Sequence, residues 1–163
     1  MSASPNPQFQ VDAWSRSEGQ PRKREVVNAT AATTLINGQC GALCLWNSAT
    51  GFTFTLPTIT AETIGTWFEF LVTTTVTSGS HKLITSAGTI FLLGEVLTYT
   101  TATASPAGFA FNGSTHVACT MNGTTTGGII GTRIRVEAIS TTQWAITGSI
   151  VGSGTIATPA ATS

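Results

Sequence analysis

Charge is what this chain lacks most. Asp, Glu, Lys and Arg together make up 9% of its 163 residues, against about 25% in an ordinary soluble domain. Seven acidic and seven basic residues cancel to a formal net charge of zero. No whole-molecule field therefore draws the chain to nucleic acid or to an anionic membrane, and neither is expected as a partner. Asp12 is the single aspartate, and His81 and His116 are the only histidines. A Ser-His-Asp arrangement would have to take its acid from the N-terminal stretch, and no Gly-x-Ser-x-Gly elbow is present. Long apolar runs are missing too. Ser, Thr or Gly interrupts each one well short of the ~18 residues that a membrane-spanning helix needs. Residues 1–7 have neither the basic nor the apolar region of a signal peptide, which sets the expectation of a protein made and kept in a cytoplasm, or released from one by lysis.

Cysteine is scarce and odd in number. Cys40, Cys44 and Cys119 do not read as a secreted disulfide framework. With His116 they supply the ligand types of a structural zinc. Spacing argues against it, because in an extended strand Cys40 and Cys44 lie ~13 Å apart and His116 and Cys119 point to opposite faces. Buried or half-buried thiols are the expectation, and neither thiol nor imidazole has a local activating context. After residue 25 the carboxylates reduce to Glu62, Glu69, Glu95 and Glu137. Trp67 beside Glu69 resembles a sugar platform with a carboxylate at its edge. The reading that takes precedence makes Glu69 an ordinary ion-pair partner of Arg133 or Arg135. Residues 127–132 lack the Gly-Lys-Ser/Thr ending of a phosphate-binding loop. Three glycosylation sequons, at Asn28, Asn112 and Asn122, read as turn chemistry in a chain without a secretory signal. No catalytic residue, metal or cofactor is expected.

What is present is threonine, about a fifth of the chain, whose β-branched side chain suits a pleated surface. Residues 52–56 alternate strictly between apolar and polar, the signature of a half-buried strand, and Pro57 stops it. Further strands are expected at 42–46, 67–76, 82–85, 89–93, 96–100, 109–111, 133–137 and 143–151. A single helical turn at 60–64 is closed by Gly65, and Gly94-Glu95 separates two of the strands. Asn37-Gly38 marks a turn, and Asn112-Gly113 and Asn122-Gly123 read as type I′ hairpin turns. No internal repeat stands out at a solenoid period. Many short strands at this spacing predict an all-β fold, an antiparallel sandwich or barrel of jelly-roll kind.

The few charges are unevenly placed. Asp12, Arg16, Glu18, Arg22, Lys23, Arg24 and Glu25 are half of them, and they share residues 1–25 with Pro5, Pro7 and Pro21 and with the isolated apolar residues Phe9, Val11 and Trp14. That stretch has no helical period and is expected to be an extended arm on a body formed by residues 26–163. Two body strands are apolar on both faces. At 67–72, Phe68, Phe70 and Val72 point one way, and Trp67 and Leu71 the other, beside Glu69. Residues 42–46, ending in Trp46, behave likewise. An antiparallel sandwich leaves one face wet, so these strands call for a second cover. A homo-oligomer is expected, with Trp46, Trp67, Glu69 and Leu71 as interface candidates.

Four segments carry a resemblance: residues 41–57 (GALCLWNSATGFTFTLP), 65–76 with their Thr-Thr-Thr-Val turn, 121–131 (MNGTTTGGIIG) and 144–159 (WAITGSIVGSGTIATP). The chain resembles the small β-rich decoration, or cement, proteins on the heads of tailed bacteriophages, often described only as virion structural proteins. The likeness spans most of residues 28–160 and leaves out the arm. It implies synthesis in a host bacterial cytoplasm and a final place on the outer capsid surface. There a homotrimer would clamp the major capsid protein against internal pressure. On that reading Phe9 and Trp14 anchor the arm, and Arg16, Arg22, Lys23 and Arg24 meet acidic capsid surface. Two rivals stand beside it: a head-fibre or tail receptor-binding domain that takes a glycan, and a glycosidase working through Glu69 and another glutamate.

Overall fold

A computed structural model describes residues 23–101 and 106–163. Their twelve strands are β1 (Val26–Ala29), β2 (Thr33–Thr34), β3 (Leu43–Trp46), β4 (Thr53–Thr55), β5 (Trp67–Val72), β6 (His81–Ile84), β7 (Phe91–Thr100), β8 (Ala107–Asn112), β9 (Ala118–Met121), β10 (Arg133–Ser140), β11 (Gln143–Gly152) and β12 (Ala160–Ala161). They form a seven-stranded sheet in the order β1-β3-β5-β10-β11-β7-β8 and a five-stranded sheet in the order β12-β9-β6-β4-β2. The all-β sandwich expected from the sequence is present.

The sheets are mixed and not antiparallel throughout. From β1 to β6 the chain changes sheet at every strand. As a result β1, β3 and β5 run parallel in one sheet, and β2, β4 and β6 run parallel in the other. Each full winding lays the next strand beside its predecessor, as a coil does. The remaining strands close the sandwich mostly by antiparallel pairing, with the β10–β11 hairpin turning at Thr141-Thr142 and β7 alone parallel to β11.

A repeat that the sequence reading missed accompanies this winding. Residues 37–39 and 61–63 each make one 3₁₀ turn, and each is followed by a positive-φ glycine, Gly41 (φ 85°) and Gly65 (φ 91°), before the chain enters β3 or β5. The side chains of Gln39 and Thr63 accept from the N–H of Ile36 and Thr60, three residues back. Only the backbone geometry repeats, so the two sequences show little in common.

The Asn-Gly pairs also differ from expectation. No described residue other than glycine has positive φ, whereas a type I′ turn requires it at the asparagine. Each asparagine instead folds its side chain over the following loop. Asn112 Oδ1 accepts from the N–H groups of Ser114 and Thr115, and Asn122 Oδ1 from those of Thr124 and Thr126. The two loops carry the chain between sheets, from β8 to β9 and from β9 to β10.

The core lies between the sheets. Trp46, Phe54, Phe70 and His81 are all fully buried, with Trp46 stacked on His81 at 5.7 Å and tilted against Phe70 at 5.2 Å. Further along, Phe68 meets Trp144. Trp46, expected at a subunit interface, is therefore inside the monomer. Its strand alternates so that Cys44 and Trp46 face inward, while Leu43 and Leu45 take the outer face. Apolar residues on both sides of a short strand did not reveal which side held the core.

Candidate functional site

Alternation in β5 sends Phe68, Phe70 and Val72 into the core and leaves Trp67, Glu69 and Leu71 half-buried on the outer face of the seven-stranded sheet. Next to it, β10 presents Arg133, Arg135 and Glu137 on the same face. The ladder sets Arg135 opposite Glu69, Arg133 opposite Leu71 and Glu137 opposite Trp67. The segment entering β1 adds Arg24. Of the ten charged residues from position 23 onward, five thus meet on one patch of one face.

Glu69 is the centre of that patch. Arg24 Nη1 donates to its Oε2 at 2.6 Å, and Arg133 Nε donates to its Oε1. The rest of the Arg24 guanidinium is used as well, since Nε donates to the Gly41 carbonyl at 2.7 Å and Nη2 to that of Ala42 at 3.2 Å. Arg135 lies over the Trp67 ring at 4.3 Å from its centroid, with Arg24 at 5.2 Å, and it also reaches Glu137 at 3.3 Å. Partial burial alone would raise the Glu69 pKa. The hydrogen bond and charge of Arg24, followed by those of Arg133, outweigh burial and hold it below the usual carboxylate range. Glu69 is therefore an ionised anchor with both oxygens engaged, a poor source of a proton. A shallow depression of about 240 Å³ adjoins it, lined also by Arg133, Arg135, Thr147, Gly148 and Ser149.

Cys44, Cys119 and His81 are committed to packing. Burial pushes the thiols of Cys44 and Cys119 up to about 12, while Cys40 is exposed. Cys44 and Cys119 sit on different sheets, and among the described residues no group of three or more His, Cys, Asp or Glu side chains is placed to hold a metal ion. His81 is fully buried. Its Nδ1 accepts from the Phe52 N–H at 3.4 Å, and its Nε2 has no partner among the described residues. Burial lowers the His81 pKa, against opposing contacts with the backbone of Ser48, Thr74 and Phe52.

The structure brings together Trp67, Glu69, Leu71 and Arg24, although Arg24 was expected to reach outward. Lys23 is exposed. Phe9, Trp14, Arg16 and Arg22 lie outside the described residues. The boundary expected after residue 25 moves back, because Arg24 bonds the body and Glu25 accepts from Gln39.

An apolar strip on the same face went unread. Leu93, Leu97 and Tyr99 are exposed at 38%, 42% and 44%. Their alternation with buried Leu92, Val96 and Thr98 was the available signal. It was lost because Gly94 seemed to end a strand, whereas β7 runs straight through it. Comparison of the chain with protein-family models, curated proteins and solved structures finds no match.

Proposed function

We propose that this chain is a virion structural protein, a decoration or cement protein that sits on the outer surface of a tailed-bacteriophage head. Its partners are the major capsid protein and further copies of itself. It acts without chemistry, as a non-covalent staple.

The observation that carries this reading is the clamp on Arg24. Three hydrogen bonds tie that guanidinium to Gly41, Ala42 and Glu69. A pull on the residues before it is therefore transmitted into β3 and β5 near the start of the seven-stranded sheet. A tether needs a firm attachment of this kind where it meets its body. The residues before Arg24 supply Phe9 and Trp14 as anchors and Arg16, Arg22 and Lys23 as charges for an acidic capsid surface. Several arms on one oligomer multiply weak single contacts by avidity. The Thr-rich, low-charge surface supports the same reading, as does the use of Glu69, His81, Cys44 and Cys119 in holding the fold.

A sugar-binding or glycosidase role at Trp67 and Glu69 is less well supported. Two guanidiniums already lie against the Trp67 ring, and Glu69 is ionised between two arginines.

The test is co-sedimentation with heads lacking this protein, comparing the full chain with residues 23–163. The shorter chain keeps Arg24 and is expected to fold and to lose at least tenfold in occupancy. Equal occupancy would place the docking surface on the body and overturn the role given to the arm.

A further inference from the structure

The two sheets have four edge strands, and three of them are poor templates for pairing. β2 and β12 are two residues long, and β1 has four residues that directly follow Lys23, Arg24 and Glu25. Short length and flanking charge are the ordinary means by which a sheet edge avoids another chain. The fourth edge, β8, has neither. It runs for six residues, Ala-Gly-Phe-Ala-Phe-Asn, with no charge and no proline. Among the described residues, no hydrogen bond joins residues 107–111 to anything except β7. Gly108 and Ala110 are exposed, and Phe109 is half-buried at the rim of the core. The exposed Leu93 and Leu97 of β7 flank it on the outer face, where Leu97 pairs with Gly108.

We propose that β8 is a self-association edge, which pairs antiparallel with β8 of a second copy to continue the seven-stranded sheet across a twofold axis. Charge selects both the occupant and the geometry. The one charge near the strip is Glu95, on β7, and among the described residues it makes no ion pair. Stacking the two outer faces with β7 on β7 would bring Glu95 against its own copy. Edge pairing leaves three interstrand steps of ~4.8 Å between the two carboxylates, ~14 Å in all, which exceeds the ~8 Å screening length at physiological salt. A strand without charge meets no like-charge penalty when it pairs with itself. The phenyl ring of Phe109 then gains cover from its counterpart across the new ladder.

A six-residue pairing is a small interface, below the ~1,200 Å² of a standard stable complex. The association is therefore concentration-dependent in solution and favoured where copies are crowded. It joins two copies and not the three that the resemblance implies. It does not depend on the proposed place on a capsid.

Sedimentation velocity of the full chain from ~10 µM to ~1 mM tests it, alongside the double variant Gly108→Lys/Ala110→Lys. Both positions are exposed, and a Cβ at Gly108 would meet only the end of Leu97 at 3.7 Å. The wild type is expected to pass from monomer to dimer over this range, with little dependence on salt. The double variant is expected to associate at least tenfold more weakly with an unchanged thermal melt. Thr58→Lys, at an exposed position in the loop after β4, is expected to behave as the wild type. Amide exchange at residues 108–111 of the wild type should slow as concentration rises, a reading independent of any variant's folding. A wild type monomeric throughout, or an oligomer that the two lysines leave intact, would overturn the inference. Loss of capsid binding by residues 23–163 with β8 association unchanged would separate the two proposals.

Discussion

Arg24 and Glu69 form an ion pair at 2.6 Å although 45 residues separate them in sequence. The pair fixes the chain just before β1 to β5, two strands into the sheet. Both side chains are partly screened, at 30% and 18% exposure, which puts their coupling at about 0.5–1 kcal/mol. A double-mutant cycle with Arg24→Ala and Glu69→Gln, read by urea unfolding, is expected to return a value in that range. Because the folded Glu69 pKa lies below its ordinary 4.5, its contribution is present above that pH and disappears as pH falls through the folded value. Coupling that stays constant while acid protonates the carboxyl would contradict the assignment.

His81 gives a separate pH window. Burial depresses its folded pKa below the ordinary 6.5, so the unfolded chain takes up the proton first. Stability is full above about pH 6.5 and falls on acidification by up to about 1.4 kcal/mol per pH unit, until the folded value is reached. Urea unfolding at pH 7.5 and 5.5 measures this slope. His81→Phe, placed among Trp46 and Phe52, is expected to flatten it between those values.

Thiol reactivity should divide one against two. Cys40 is exposed, whereas Cys44 and Cys119 are buried with pKa values near 12. One thiol per chain is expected to react with a disulfide reagent in the native protein and three in denaturant. Rapid native labelling of Cys119 would mean that the five-stranded sheet opens easily.

Two glycines should respond in opposite ways. At Gly94, φ is 137° and a Cβ would sit 2.1 Å from the Ile146 carbonyl oxygen. Gly94→Ala is expected to cost about 3 kcal/mol or more, because β7 and β11 must separate or shift register. Gly88 has ordinary φ and open space, so Gly88→Ala is expected to be neutral or to stabilise by up to about 1 kcal/mol. Thermal melts of the two variants check both.

The same residues show how much was legible in the sequence. Strands carried by local alternation, such as 52–56 and 67–72, stand where the alternation put them, and the helical turn before Gly65 is present as a 3₁₀ turn. Glu69 was read as a partner of an arginine in β10, and Arg133 is that partner. Parallel pairing was not legible, because register between β1, β3 and β5 depends on windings 17 to 26 residues apart and leaves no local mark. Gly94 and the Asn-Gly pairs misled for a common reason. Each is a residue type that permits a turn, and local sequence does not reveal when a close backbone approach or a side-chain-folded loop has claimed that permission instead. Arg24 was assigned to the arm by its neighbours in sequence, whereas its contacts come from β5 and from the two residues that lead into β3.

The most direct test of the capsid reading is immunogold electron microscopy of intact particles purified from the lysate that contains this chain, with antibody raised against residues 23–163. Gold over the outside of the heads, lost when the encoded chain lacks residues 1–22, is the result predicted. Gold confined to tails or fibres, or particles that carry none of the chain, would contradict it.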